Sequence, residues 1–392
     1  MKRILPVIVI SQFLCTSLWF AGNAIMPDLV RQFHLKTSYI AHLSTAVQLG
    51  FIAGTMVFAL LSISDRFSPS RVFLICAVAA ALINLGISLP GIGLPQLFLF
   101  RLLTGFFLAG IYPVGMKIAS DHYEKGLGKS LGFLVGALVL GTAFPHLLKS
   151  LTTDLPWKYV LFATSALSIT GGCAMYILVP DGPYRKAGQR LEPTEFLKSF
   201  RNRNFSAVAI GYFGHMWELY AFWVFLPVML LNFKVRQPTV DLNISLLSFL
   251  IIAAGACSCV ISGLISSRYG VKRTAAAALS LSGICCILSP VFLSGNSLIL
   301  LLLFLTIWSM AVIADSPLFS TLVAQHAPTE ARGTALTIVN CIGFSITIFS
   351  IQLISLLLNT GNANHVYMWL ALGPFIGLTA LYLRKPVNLK WS

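Results

Sequence analysis

Long apolar runs separated by short polar breaks set the fold class of this chain. Many of the runs reach 18 residues or more, the length that crosses about 30 Å of hydrocarbon. The pattern predicts membrane helices near 4–26, 39–61, 72–90, 96–118, 129–148, 158–179, 204–227, 243–265, 274–294, 298–323, 333–358 and 366–383. We number these spans 1 to 12. The expected class is an all-α membrane protein, and an even number of spans places both ends on one side. The apolar run after Met1-Lys2-Arg3 continues to Met26 without a convincing small-x-small cleavage site, so it reads as a retained span and not a leader.

Composition agrees. The 392 residues are 57% hydrophobic and 10% charged, with mean hydropathy +0.84, whereas soluble domains carry about 25% charged residues. A net charge of +15 raises nucleic acid as a partner, but the basic residues are divided among short loops and form no long basic face. If both termini are cytoplasmic, 20 lysines and arginines fall on the inner side and 6 on the outer, with Arg101 inside span 4. That asymmetry predicts a multi-pass inner-membrane protein with cytoplasmic termini, whose partner is the lipid bilayer and not nucleic acid. All 8 cysteines lie in apolar runs, which gives neither a disulfide framework nor a metal-ligand spacing. The longest loop, 180–203, divides the chain into a six-span half (1–179) and a second (204–392). Within it Phe196, Leu197 and Phe200 suggest a short interfacial helix.

The halves repeat. Pro27 and Pro227 are 200 residues apart, Pro113 and Pro317 are 204 apart, and His122 and His326 are also 204 apart. After span 2 comes "SISDRFSPSR" and after span 8 "GLISSRYGVKR", with Arg66 and Arg268 202 apart. Matches at three places in order, with offsets of 200 to 204 residues, imply a duplicated six-helix unit, one of the known transporter plans. On these residues the chain resembles the major facilitator superfamily over its whole length. That family carries a loop motif G-x-x-x-D-R-x-G-R-[RK] between spans 2 and 3. The second-half copy is close, with Gly263, Arg268, Gly270, Lys272 and Arg273. The first-half copy keeps Asp65 and Arg66 but has Leu61 and Ser68 for the glycines, and its last basic residue is displaced to Arg71. The resemblance implies that Asp65 caps a helix of the other half and latches the cytoplasmic side. Arg101-x-x-x-Gly105 is similar to the span-4 motif of proton-coupled members. Span 5 departs from the drug-exporter pattern, with Ala137 where a proline belongs, and spans 2 and 8 lack the arginines of the nitrate/nitrite branch.

Three charged residues lie deep in the predicted spans: Arg101, Glu218 and Asp315. Each costs about 2.5–3.5 kcal/mol at a helix centre even on lenient insertion scales, so each should face protein or water. Glu218 lies roughly 21 Å into span 7 at 1.5 Å per residue, with His215 one turn away on the same face. The resemblance implies that spans 1, 4, 7 and 10 line a central cavity. The expected coupling residues are therefore Glu218, tuned by His215, with Asp315 as the rival. The expected cavity residues are Arg101, Asn23, Gln48, Trp19, Tyr212, Trp217 and Trp223. The expected gating residues are Asp65, Arg66, Arg71, Gly263, Arg268, Gly270 and Arg273.

The function expected is secondary transport of a small organic solute by alternating access, with proton-linked uptake (symport by a permease) ahead of proton-antiport efflux of drug-like or metabolite- or siderophore-like compounds. Arg101 favours an anionic solute. No nucleotide-binding loop of the G-x-x-x-x-G-K-[ST] form occurs. No cofactor and no enzymatic activity are expected: His215-x-x-Glu218 offers two ligand types, whereas zinc hydrolases bring three protein ligands. A receptor or scaffold with this fold would respond to ligand without flux. A monomer is expected, with the solute and protons as further partners.

Overall fold

The computed structural model describes residues 4–35, 39–123, 127–152, 155–185, 200–327, 332–360 and 364–383. Among them, ten helices are long and apolar enough to cross a membrane, and Ile4–Thr16 and Val366–Tyr382 add two shorter apolar ones. Every described element is helical. Spans 2 and 3 are Tyr39–Leu60 and Pro69–Gly86, and spans 5 and 6 are Leu127–Leu151 and Lys158–Leu178. Spans 7, 8 and 9 are Arg203–Arg236, Ile244–Tyr269 and Val271–Ser294, and span 11 is Arg332–Thr360. The proposed interfacial helix at 193–200 falls almost wholly outside the described residues.

Four spans are interrupted, and a prediction of continuous helices is corrected there. Span 1 runs Ile4–Thr16, unwinds over 17–20, and resumes as Ala21–Ala24 and Met26–Gln32. Span 4 is Leu94–Leu108 followed by Tyr112–His122, and span 10 is Leu298–Ala314 followed by Ser316–His326. In both, a proline opens the second segment, because it lacks the N–H an unbroken helix needs at that point. Pro113 and Pro317 are the repeat pair, so the duplication carries the break with it. Span 12 starts as a 3-10 turn, Val366–Ala371, before Leu372–Leu383.

Spans 1–6 pack on one another, spans 7–12 do likewise, and the two bundles meet where span 5 lies along span 8 and span 2 along span 11. Large side chains such as Ile261, Leu264, Ile287, Val291 and Phe375 point outward, which is the arrangement a lipid solvent selects. Small residues permit the closest crossings. Gly50 of span 2 meets the Leu102 carbonyl of span 4, and Gly105 of span 4 meets the Val47 carbonyl of span 2. At such contacts a side chain would separate the two backbones.

The loop motif differs between the halves. Gly270 links spans 8 and 9 at φ 90, a conformation that glycine adopts without Cβ strain. Its counterpart Ser68 sits at φ −57, and the first-half chain turns instead through Ser62 at φ 50. The missing glycine is matched by a different backbone route.

Candidate functional site

Span 7 carries two different faces. At 3.6 residues per turn, positions two apart point nearly opposite ways. Glu218 and His215 therefore look into the interior of the second half, and Tyr220 and Trp223 look toward the first. The expectation that the His215/Glu218 face lines the path between the halves is corrected on this point.

Glu218 is fully buried between spans 7, 9 and 10. Ser282 Oγ donates to its Oε2 at 2.8 Å and Trp308 Nε1 to its Oε1 at 2.6 Å. His215 does not pair with Glu218. Its Nδ1 lies 2.7 Å from Asp315 Oδ1, with both side chains at 0% exposure. Among the described residues His215 Nε2 and Asp315 Oδ2 have no hydrogen-bond partner. Asp315 stands at the break in span 10, where Ile111 occupies the matching place in the first half, 204 residues earlier. Among the described residues the two acids at 0% exposure, Glu218 and Asp315, thus both belong to the second half. Among the described residues no group of three His, Cys, Asp or Glu could hold a metal ion, and the eight cysteines are free thiols.

An aromatic cluster fills the space between the halves. Trp19 of span 1 packs at a tilt against Phe51 of span 2 at 4.8 Å, Tyr220 of span 7 at 5.9 Å and Phe344 of span 11 at 5.6 Å between centroids. Trp223 meets Tyr220 at 5.4 Å and Phe20 at 6.2 Å, and among the described residues its buried Nε1 has no partner. Beyond the rings, Thr347 of span 11 donates to Gln48 Oε1, and Gln352 Nε2 donates to Thr45 Oγ1 at 2.9 Å. Asn243 Nδ2 donates to Ser150 Oγ at 3.2 Å. These bonds join the bundles from mid-helix, at Gln48 and Thr347, to the end remote from the chain termini, at Ser150 and Asn243.

Several expected cavity residues lie elsewhere. Trp217 turns to span 12, donating to the Trp369 carbonyl at 3.1 Å, because it sits two positions from His215. Asn23 donates to Ser44 within its own half at 2.7 Å. Tyr212 donates to Asn340 of span 11 at 2.7 Å. Arg101 is 1% exposed, and among the described residues it pairs with no carboxylate. Its Nη2 donates to the Trp19 carbonyl at 2.7 Å and its Nη1 to Leu18 at 3.4 Å. It therefore satisfies carbonyls freed where span 1 unwinds. Gly22 makes room for it, since a Cβ there would lie 2.9 Å from Arg101 Nε. A lysine keeps the charge but replaces the planar fork with a compact ammonium on a shorter reach. Arg101→Lys is expected to lower stability by about 1.5–3 kcal/mol, the worth of a charged hydrogen bond, and a thermal melt of the purified protein measures it.

The gating residues also divide unexpectedly. Asp65 pairs with Lys117 of its own half at 2.9 Å. Among the described residues no contact latches it to the other half, and the segment 328–331 ahead of span 11 lies outside them. Arg185 donates to the Asp65 and Phe67 carbonyls at 3.0 and 2.8 Å and to Asp181 at 2.7 Å. Ser68 donates to the same aspartate at 2.7 Å. The start of the linker thus braces the altered first-half loop. Arg66 and Arg71 are exposed. In the better-preserved second copy, Arg268 lies over the Tyr269 ring at 5.5 Å, and Gly263 has open space around it. Sequence reasoning missed Tyr220, Phe344, Asn340, Ser282, Trp308 and Arg185. The one legible signal was Trp308, an indole inside the leucine-rich run of span 10.

Two six-helix bundles related by an internal repeat, with polar residues confined between and within them, define a multi-span membrane protein of the transporter type. A family model described as Major Facilitator Superfamily matches residues 8–380, and the chain belongs to that family. An uncharacterized transporter, YgaY of Escherichia coli O157:H7, is 26% identical over 184 residues, which cover 45% of each chain. The chain thus matches less than half the length of that curated relative. Among solved structures, the human organic anion transporter MFSD10 (TETRAN) superposes with TM-score 0.74 at 15% identity, covering 97% of this chain and 99% of that one. A point mutant of the nucleoside transporter NupG gives 0.75 at 15%, covering 98% and 100%. The proton:xylose symporter XylE, bound to 6-bromo-6-deoxy-D-glucose, gives 0.74 at 14%, covering 96% and 94%. At these identities the likeness is one of fold.

Proposed function

We propose that this chain is a secondary carrier that moves a small organic solute by alternating access and couples that movement to protons through Glu218, His215 and Asp315. The observation that carries the reading is the sealed cluster in the second half: a carboxylate held by two donors, beside a histidine–aspartate contact at 2.7 Å. Ionisable groups at membrane depth are expensive and mark proton relays or substrate paths. Asp315 stands at a helix break, so rocking of the span-10 segments changes its surroundings. A group whose proton affinity differs between two states links proton flow to solute flow.

The solute passes between residues 1–179 and 204–392, joined by the linker 180–203, where Trp19, Tyr220, Trp223 and Phe344 meet. Spans 5–8 and 2–11 then act as the rocking contacts. Because Arg101 is engaged by span 1, the reading carries no preference for an anion. The solved neighbours carry names as different as organic anion, nucleoside and xylose transporters, so the fold does not choose a solute. Proteoliposomes with an imposed pH gradient of either sign, screened against organic solutes, test the proposal. Solute accumulation driven by an inward proton gradient supports uptake, and accumulation driven by an outward one supports the efflux alternative. Flux that ignores the gradient removes proton coupling.

The orientation reading places both termini in the cytoplasm. In a variant freed of native cysteines, a cysteine at Gly295 is expected to react with an impermeant reagent from outside, and one at Gly188 to be protected. The reverse pattern overturns the orientation.

A further inference from the structure

Outside both clusters, the lipid-facing surface of the second half bears a groove of about 530 Å³ between spans 9 and 12, walled by Ser280, Ile284, Ile287, Trp369, Phe375 and Leu378. Its shape follows from local sequence. Spans 9 and 12 touch where Gly283 faces Pro374, close enough that a Cβ on the glycine would lie 2.9 Å from the proline Cβ. Beside that contact their surfaces diverge, because span 12 opens as a 3-10 turn. The walls remain open, with Ile284 at 52% and Phe375 at 70% exposure. Ser280 donates its hydroxyl to the Ala276 carbonyl of its own helix, so the groove presents carbon to its occupant.

A charge stands at one end of this groove. Arg273, Ala277, Ser280, Ile284 and Ile287 follow one another at spacings of four, three, four and three, which is a single stripe along a helix. Arg273 lies seven residues below Ser280, roughly 10 Å at 1.5 Å per residue. It is exposed, and among the described residues its guanidinium has neither an ion pair nor a hydrogen bond, unlike Lys117 and Arg185 at the same level of the first half. Lys272 is exposed too, but one position round the helix from the stripe. A free guanidinium at the membrane surface, in register with an apolar groove running into the bilayer, complements a molecule with an anionic head and a hydrocarbon tail.

We infer that this groove is a binding site for an anionic phospholipid from the leaflet on the side of the chain termini, with one acyl chain between spans 9 and 12 and the phosphate on Arg273. Basic residues at the membrane surface contribute about 1 kcal/mol each toward anionic lipid, while the fork geometry of arginine suits a phosphate. The inference does not depend on which solute the carrier moves.

Native mass spectrometry of the full-length protein in mild detergent tests it, with palmitoyl-oleoyl phosphatidylglycerol and the phosphatidylcholine of the same chains as probes. The wild type is expected to retain phosphatidylglycerol roughly five-fold better, the ratio that about 1 kcal/mol gives. Arg273→Gln should abolish that preference and Lys272→Gln should keep most of it. Ile284→Trp, which fills the groove with an indole, should reduce retention of both lipids. Equal retention of the two lipids by the wild type, or equal effects at 272 and 273, would overturn the site. Full competition by inorganic phosphate would reduce it to an anion contact without the acyl groove and would overturn it as well.

Discussion

Glu218→Gln is expected to abolish gradient-driven accumulation of solute while leaving solute exchange across the membrane intact. The substitution keeps the shape and removes the titration. It is also tolerable to the surroundings, which makes the result readable. Trp308 Nε1 can only donate, so the amide oxygen takes the place of Oε1, 2.6 Å away. The amide nitrogen then faces Ser282 Oγ. That hydroxyl can turn its proton to the Leu279 carbonyl, already within 3.1 Å, and accept from the amide. The network survives with every polar atom paired, and only the proton site is lost. Proteoliposomes measure both quantities: counterflow with solute on both sides, and uptake under an imposed pH gradient. Accumulation with the wild-type pH profile in the variant would make Glu218 a packing residue and leave the coupling to the His215–Asp315 contact.

The second large effect is structural. Gly105→Leu is expected to leave little folded protein, because the Gly105 position meets the Val47 backbone carbonyl while Gly50 on the facing span meets Leu102 in the same way. Spans 2 and 4 are interlocked by two reciprocal contacts in which neither obstacle is a side chain that can rotate aside. The penalty therefore exceeds the about 1–3 kcal/mol of ordinary overpacking. Gly263→Ala is the control. That glycine has open space around it and no positive φ, and an exposed helical glycine gains from alanine. Fluorescence-detected size-exclusion chromatography of tagged protein separates the outcomes: a monodisperse peak for Gly263→Ala and aggregate or loss for Gly105→Leu. A normal peak for Gly105→Leu would mean that spans 2 and 4 can separate without cost.

The twelve spans and the duplication were legible in the sequence because hydrocarbon imposes one length and one solvent on every crossing. The breaks in spans 4 and 10 were half legible through Pro113 and Pro317. The unwinding of span 1 was not. Nothing between Ser17 and Phe20 forces it, and the group that satisfies the freed carbonyls comes from span 4, more than 80 residues on. The candidate site followed the same division. Burial and charge singled out Glu218, His215 and Asp315 from sequence, since a charge in an apolar run is conspicuous. Their pairing was not legible, because His215 and Glu218 are neighbours on one helix but choose partners on others. The aromatic cluster was read only in part, through Trp19 and Trp223. Tyr220, Phe51 and Phe344 look like any lipid-facing ring until the halves are brought together.

The bond from Arg101 to span 1 has a consequence for how the chain is made. Span 1 leaves the ribosome well before Arg101 has been synthesised. During that interval the carbonyls of Leu18 and Trp19 have no guanidinium to meet, and hydrocarbon offers no substitute. A continuous helix that satisfies its own carbonyls is the cheaper form at that stage. Span 1 therefore enters the bilayer straight and unwinds only when span 4 arrives, which makes the first four spans the smallest unit in which its final form can exist. A ribosome stalled between spans 3 and 4 would hold a nascent chain whose first helix is regular from Ile4 through Ala24.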